Sequence, residues 1–308
     1  MTRVVLRRVL ELAIVFLGVT FVIFAAVWAL PGDPIRAMAG ERPVSDAVIA
    51  TIRAQYGLDD PLFVQYLNYL GGLVRGDLGI DFTGRSVAAQ MADRWPVTIQ
   101  LALTAWVMEI VLGLGLGIYT ALRRGRWTST LMLWTAVAIS SVPVFVLAYL
   151  GQLTFGIRWQ IFPIAGTGDG WPMGYLLPAF VIALLGMVAV SRLARGSILD
   201  NLMADHVRTA RAKGLPESRV FTHHVLRNSL LPVLTFLAVD LGALLGGAVI
   251  VEGIFNIPGV GQLLFTGIQQ HQGPLVVGVA TALIVIFLLV NLLADLLSSA
   301  LDPRIRHD

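Results

Sequence analysis

Six runs of apolar residues decide what this chain can become. They cover residues 9–30, 96–122, 129–155, 174–191, 229–252 and 275–301, and none holds a lysine or arginine. A helix needs about 18 such residues to cross the hydrocarbon of a bilayer, and every run reaches that length, the fourth only just. Composition agrees: 56% of residues are hydrophobic and 13% charged, against roughly a quarter charged in soluble domains. The expected fold is an all-α integral membrane protein with six transmembrane helices. The first run follows three arginines, as a secretory signal would, but its 22 residues are too many and Leu30-Pro31-Gly32-Asp33-Pro34 is a poor cleavage site, so it is expected to be retained.

The basic residues sort by loop. Fifteen of the 22 fall in the 58 residues of one set of loops and termini, and seven in the 105 residues of the other set. The crowded side is expected to be cytoplasmic, with both termini there. The net charge of +3 therefore needs no nucleic-acid partner. Arg123-Arg124-Gly125-Arg126 reads as an orientation and lipid-headgroup anchor, which makes membrane lipid a partner. Zero cysteines exclude disulfides and thiolate metal sites.

Residues 31–95 form the one sizeable region outside the membrane, with 8 acidic and 6 basic residues. Ser45 is placed to cap a helix with Val48, Ile49, Ile52 and Tyr56 on one face, stopped at Gly57. Pro61 opens another, with Phe63, Tyr66, Leu67, Leu70 and Val74 on one face. Gly76-Asp77-Leu78-Gly79 then reads as a turn. The region serves as an amphipathic cap on the membrane, as a dock for a delivery protein, or as both.

Between the fourth and fifth runs lies a polar, basic stretch, residues 201–232, which holds the only lysine of the chain. A short helix is expected over 203–213, with Asp205 as N-cap and Gly214 in the C-cap position. Pro216 opens a second short helix leading back into the membrane. Arg208-Thr209-Ala210-Arg211-Ala212-Lys213-Gly214, then Leu226-Arg227-Asn228 and Leu231-Pro232, resemble the "EAA" loop of bacterial ABC import permeases in the form of the dipeptide/oligopeptide branch. The Glu-Ala opening of the general motif is absent, and Arg208-Thr209 stand in its place. Leu30-Pro31-Gly32-Asp33-Pro34, Gly76-Asp77-Leu78-Gly79, the stretch from Gly253 through Asn256-Ile257-Pro258-Gly259-Val260-Gly261, and Asp302-Pro303-Arg304-Ile305-Arg306 are similar to the first-permease type of that branch, so the resemblance spans the chain.

The resemblance implies the type I ABC importer permease fold, with a helical extracytoplasmic insertion between helices 1 and 2. It divides the chain into a tail and first helix (1–30), an outer region (31–95), a core (96–301) holding a cytoplasmic coupling loop (192–228), and a tail (302–308). It implies a heterodimer with a second permease, two ATP-binding subunits or one fused ATPase, and an extracytoplasmic binding protein. Coupling to the ATPase falls to Arg208, Thr209, Ala210, Arg211, Lys213 and Gly214, with Ala210 and Gly214 shaping the knob that enters the ATPase groove. Dipeptides, longer peptides, glutathione, haem and nickel chelates are all cargoes of proteins that look like this.

Intramembrane acids are costly and conspicuous. Glu109 lies in the middle of the second run and Asp240 in the fifth; Glu252 and Asp295 lie nearer run ends. Asp240 and Glu109 are candidates for a translocation path; the alternative is hydrogen bonding to a neighbouring helix or subunit. Gly113 with Gly117, and Gly242 with Gly246, have the G-x-x-x-G spacing that lets helices pack closely. Adjacent His223 and His224 point about 100° apart on a helix, so no metal site is expected even if His206 approaches. No Gly-Lys dipeptide occurs, so no phosphate-binding loop, and no hydrolase motif is present. The chain is expected to have no catalytic residues and no cofactor of its own, ATP and magnesium belonging to partner subunits. The competing reading is an ion-driven secondary transporter using Asp240 or Glu109, whose inverted repeats are not visible here.

Overall fold

The computed structural model describes residues 2–28, 35, 45–245 and 248–301. Gly246, residues 30–34, the 302–308 tail and the side chain of Asp295 lie outside it. Among the described residues every extended element is helical, and one isolated bridge joins Ile80 to Ser86. Five helices of the described residues are long and apolar enough to cross a membrane: α1 (Thr2–Trp28), α4 (Val87–Leu122), α7 (Met173–Leu202), α9 (Glu217–Leu245) and α12 (Gly273–Leu301). The third expected span, 129–155, is instead a bent pair, α5 (Trp127–Ser140) and α6 (Val144–Arg158), meeting at 101°.

The break has a local cause. Pro143 lacks an N–H and sits at the N-cap of α6, while the hydroxyls of Ser140 and Ser141 both donate to the Val137 carbonyl, at 2.9 Å each. A proline alone does not suffice, because Pro96, Pro178 and Pro232 all sit inside continuous helices. Helix α4 begins nine residues before the apolar run. Ser86 caps it by accepting from the Ala89 N–H, and its polar first turns bury Val87 and Met91 against Val260, Leu263 and Val279. Helix α7 runs past the expected fourth span into the 192–228 loop, burying Ala194 and Ile198 there.

Helices α4 and α7 form the axis of the bundle. A Cβ on Gly113 would lie 2.6 Å from Val190 Cβ, and one on Gly117 would lie 2.8 Å from the Ser191 carbonyl, so only glycine permits this approach. Gly242 similarly lets α9 approach Val290 of α12.

The outer region packs onto α1 and α12. Helix α2 (Asp46–Tyr56) starts at Ser45, whose hydroxyl accepts from Val48, and stops at Gly57 with φ +60°. Ile49 is buried, and Ile52 and Tyr56 half-buried, while Val48 is exposed. Helix α3 (Leu62–Val74) is turned differently from the expected stripe: Tyr66 is buried and Leu70 half-buried, but Phe63, Leu67 and Val74 are exposed. The reason lies on α1. The Tyr66 hydroxyl bonds Thr20 Oγ1 and the Leu17 carbonyl, both at 2.9 Å, and its ring packs on Phe21 and Phe24. Aromatic packing with a satisfied hydroxyl outweighs a stripe of aliphatic side chains that lipid can also cover. After Gly76 and Gly79, both at positive φ, Asp81 nucleates the turn into α4 by accepting from Thr83, Arg85 and Gln90.

Past α9, the apolar run does not continue as one helix. It restarts as α10 (Val249–Ile254), turns at Asn256 (φ +49°) and returns as α11 (Val260–Gln269), a short hairpin ahead of α12.

Candidate functional site

Helix α8 (Asp205–Ala212) stands between the ends of α7 and α9. Ala204, with extended backbone, is its N-cap, so Asp205 is the first helical residue rather than the cap. The helix ends at Ala212 with Lys213, not Gly214, as its C-cap, and Gly214 follows at φ +74° with nothing near the place a Cβ would occupy. Its two faces differ. Val207 and Ala210 point inward, into a buried cluster with Ala121 of α4, Ile198 of α7, and Val220 and Val225 of α9. Arg208, Thr209, Arg211, Ala212, Lys213 and Gly214 are exposed. Ala210, expected in the knob offered to a partner, is 4% exposed and packs inside its own chain. A small residue at the inward register of an amphipathic helix lets it sit close to the ends of α4 and α7.

Polar links supplement that core. Arg211 makes a two-pronged pair with Glu217, Nε to Oε1 at 2.8 Å and Nη2 to Oε2 at 3.3 Å, bridging the turn at Gly214. Where α9 starts, residues Val220–Leu226 form a π-helical stretch, a feature found often at functional sites. The His224 carbonyl there meets His206 Nε2 of α8 at 3.1 Å and accepts from Asn228 Nδ2 at 3.2 Å. His206 thus reaches the histidine pair through backbone, not ring to ring, and among the described residues no three His, Asp or Glu side chains are grouped to hold a metal. Asn201, near the end of α7, donates to Ser229 Oγ at 3.1 Å, and Ser229 to the Val225 carbonyl at 2.8 Å. Sequence reasoning missed Glu217, Asn201 and Ser229; Asn228 lay inside the motif but had no visible partner there.

Deeper in the bundle, Glu109 of α4 and Asp240 of α9 face each other carboxyl to carboxyl. Glu109 is 1% exposed and rests against Gly186 of α7, where any Cβ would overlap the carboxyl group. Asp240 is half-buried. Glu109 Oε1 and Asp240 Oδ2 are buried with no hydrogen-bond partner among the described residues.

A bundle with paired central helices, a bent span and a small helix mounted on the ends of three spans is the architecture of an ABC importer permease. It matches an inward-facing structure of the MetNI methionine ABC transporter at TM-score 0.58 and 14% identity, over 69% of this chain and 96% of that one. It also matches an amino acid ABC transporter solved with histidines, at TM-score 0.54 and 15% identity, over 69% and 94%. Residues 113–307 match the family described as binding-protein-dependent transport system inner membrane component, and residues 1–102 its N-terminal companion; the chain belongs to this family. It is 37% identical over 309 residues to the glutathione transport system permease protein GsiC of Escherichia coli K12, covering all of both chains. It is 34% identical over 337 residues to the dipeptide transport system permease protein DppB of the same strain, covering 100% and 99%. It is therefore a permease subunit of an ABC importer and a protein of the inner membrane, and the ion-driven alternative falls away.

Proposed function

We propose that this subunit carries short peptides, glutathione among them, across the membrane by alternating access, as one half of a pair with a second permease. ATP and magnesium are bound by separate ATPase subunits, and an extracytoplasmic protein delivers the cargo. The kinship with GsiC and DppB, each similar over its whole length, supports this cargo class, since both names denote small amide-linked molecules.

The observation that carries the coupling role is the two-faced helix α8. Its inner face is packed into the ends of α4, α7 and α9, so a push on it reaches three spans at once. Its outer face holds the cationic residues Arg208, Arg211 and Lys213, exposed and suited to steering a partner surface. In this reading Arg208, Thr209, Arg211, Lys213 and Gly214 touch the ATPase, and Ala210 sets the height of the helix from beneath. Asp240 faces the path or the second permease, with Glu109 behind it. The basic asymmetry of the loops supports cytoplasmic termini and a cytoplasmic α8.

Gly214→Val tests the coupling role. A left-handed β-branched residue costs about 1–2 kcal/mol or more, enough to displace the end of α8. The variant is expected to insert normally, yet to lose uptake and the stimulation of ATP hydrolysis by loaded binding protein. Gly214→Asn, which tolerates this geometry, is expected to keep both. Equal, normal activity of the two variants contradicts the assignment.

A further inference from the structure

The α10–α11 hairpin lies at the end of α4 opposite to α8, and it is fastened there by a carboxylate with no contact to solvent. Glu252, 0% exposed, accepts from Thr98 Oγ1 of α4 at 3.0 Å and from the Gln262 N–H at 2.9 Å, with the Gly261 N–H as a further donor. The same Thr98 oxygen accepts from the Val260 N–H at 2.8 Å. One threonine and one glutamate thus satisfy the backbone donors that open α11, and tie them to α4. Gly259 and Gly261 are required by this arrangement. A Cβ on Gly259 would lie 2.6 Å from Thr98 Oγ1 and against the carboxylate, and one on Gly261 would lie 2.9 Å from Glu252 Oε2. Arg94 Nη1 extends the tie to Gln262 Oε1 at 2.7 Å, and Gln262 Nε2 to Asn256 Oδ1 at 2.7 Å. The turn of the hairpin is gripped from its other side, where Gln152 donates to the Ile254 carbonyl and the Gly166 N–H to that of Phe255.

From Thr98 to Ala121, which touches α8 in the buried cluster, α4 runs roughly 35 Å at about 1.5 Å per residue. No proline interrupts that length, and Gly113 and Gly117 press it against α7 along the way. One stiff element therefore has the coupling helix at one end and the hairpin at the other. We propose that α4 is a rod that carries the movement of α8 to the α10–α11 hairpin, and that Glu252, through Thr98, is the positioning residue that latches the hairpin to it throughout the transport cycle. The first half of this proposal, the rod, rests on the coupling role of α8; the latch does not.

The absence of cysteine permits a direct test in the complete complex with its ATPase and binding protein. Arg94→Cys and Gln262→Cys are introduced together and bridged with a short bis-maleimide, and the bridging yield is read without nucleotide and after trapping with ATP and vanadate. The yield is expected to be the same in both states, and the bridged complex to keep its stimulated ATP hydrolysis. Thr98→Val removes both bonds of the hydroxyl and is expected to lower the yield and the stimulated hydrolysis about tenfold while basal hydrolysis stays. Thr98→Ser is expected to behave as the parent, and bridging in the Thr98→Val background to restore stimulation. A yield that falls on trapping, or a bridged parent complex that no longer responds, shows that the hairpin leaves α4 and overturns the latch. So does a Thr98→Val complex with unchanged yield and response. If Thr98→Val does not assemble, the bridged parent still decides. If Gly214→Val responds normally while the bridging results stand, the coupling reading fails and the latch survives.

Discussion

Asp240 and Asp81 show how differently a buried carboxylate can be held. Asp240 is half-buried in a span, shares a hydrogen bond with the carboxyl of Glu109, and leaves Oδ2 without a partner, a costly position for a residue that only packs. Asp240→Leu is expected to insert and assemble but to lower uptake at least about tenfold, the effect of losing about 1.4 kcal/mol in the rate-setting state. Unchanged uptake and complex stability remove it from the path and from the permease interface. Asp81 lies outside the membrane. Burial raises its carboxyl, but the donors from Thr83, Arg85 and Gln90 outweigh that and hold it below the usual carboxylate range. A depressed folded value stabilises the turn above the unfolded pKa of about 4 and is lost only as pH falls through the lower folded value. Proteolysis within residues 77–86 is expected to stay slow from neutral pH to about pH 5 and to rise only in stronger acid, whereas Asp81→Asn is cut readily at pH 7. Equal protection of the two proteins at pH 7 contradicts this. Single residues were legible from sequence where the chemistry is local: Ser45 as cap, and Gly57 and Gly214 at positive φ. The inward turn of Ala210 was not, because it depends on the ends of α4 and α7 that meet there.

At the level of elements, length and apolarity located the spans, but what happens at their ends follows from contacts distant in sequence. Helix α4 starts early because Val87 and Met91 find α11 and α12, over 150 residues away. The apolar run 129–155 is indistinguishable from a straight span until Ser140, Ser141 and Pro143 are seen acting together. The run 229–252 mixes a span with the first limb of a hairpin whose anchor, Thr98, lies in another helix. The axis of the bundle makes a sharper prediction. Gly117→Val forces a side chain into the Ser191 backbone, and overpacking of this kind costs typically about 1–3 kcal/mol. The variant is expected to lose thermal stability in detergent and to assemble poorly. Gly115→Ala, on the same helix with nothing within 4 Å of its Cβ, is expected to change stability by less than about 0.5 kcal/mol. Similar losses in both variants contradict the close-packed α4–α7 axis.

In the whole molecule, a bundle built on α4 and α7 carries an exposed helix on the ends of its spans, and the loop bias of the arginines supports a cytoplasmic position for that helix. The overall class was legible because hydrophobic length and charge bias are properties of the sequence itself. The internal wiring was not, because Asn201–Ser229, His206–His224 and Arg211–Glu217 are pairings that only the folded loop creates. The central claim is that the exposed face of α8 is the contact for the ATPase. The most direct measurement places a single cysteine at Lys213, couples it to a photoreactive group, and identifies what it captures in the assembled complex, with Asp60→Cys as control. Lys213→Cys is expected to capture the ATP-binding subunit and to resist an impermeant thiol reagent applied from outside, while Asp60→Cys reacts with that reagent and captures no ATPase. Capture of the ATPase from Asp60, or from neither position while the complex remains intact, contradicts the account.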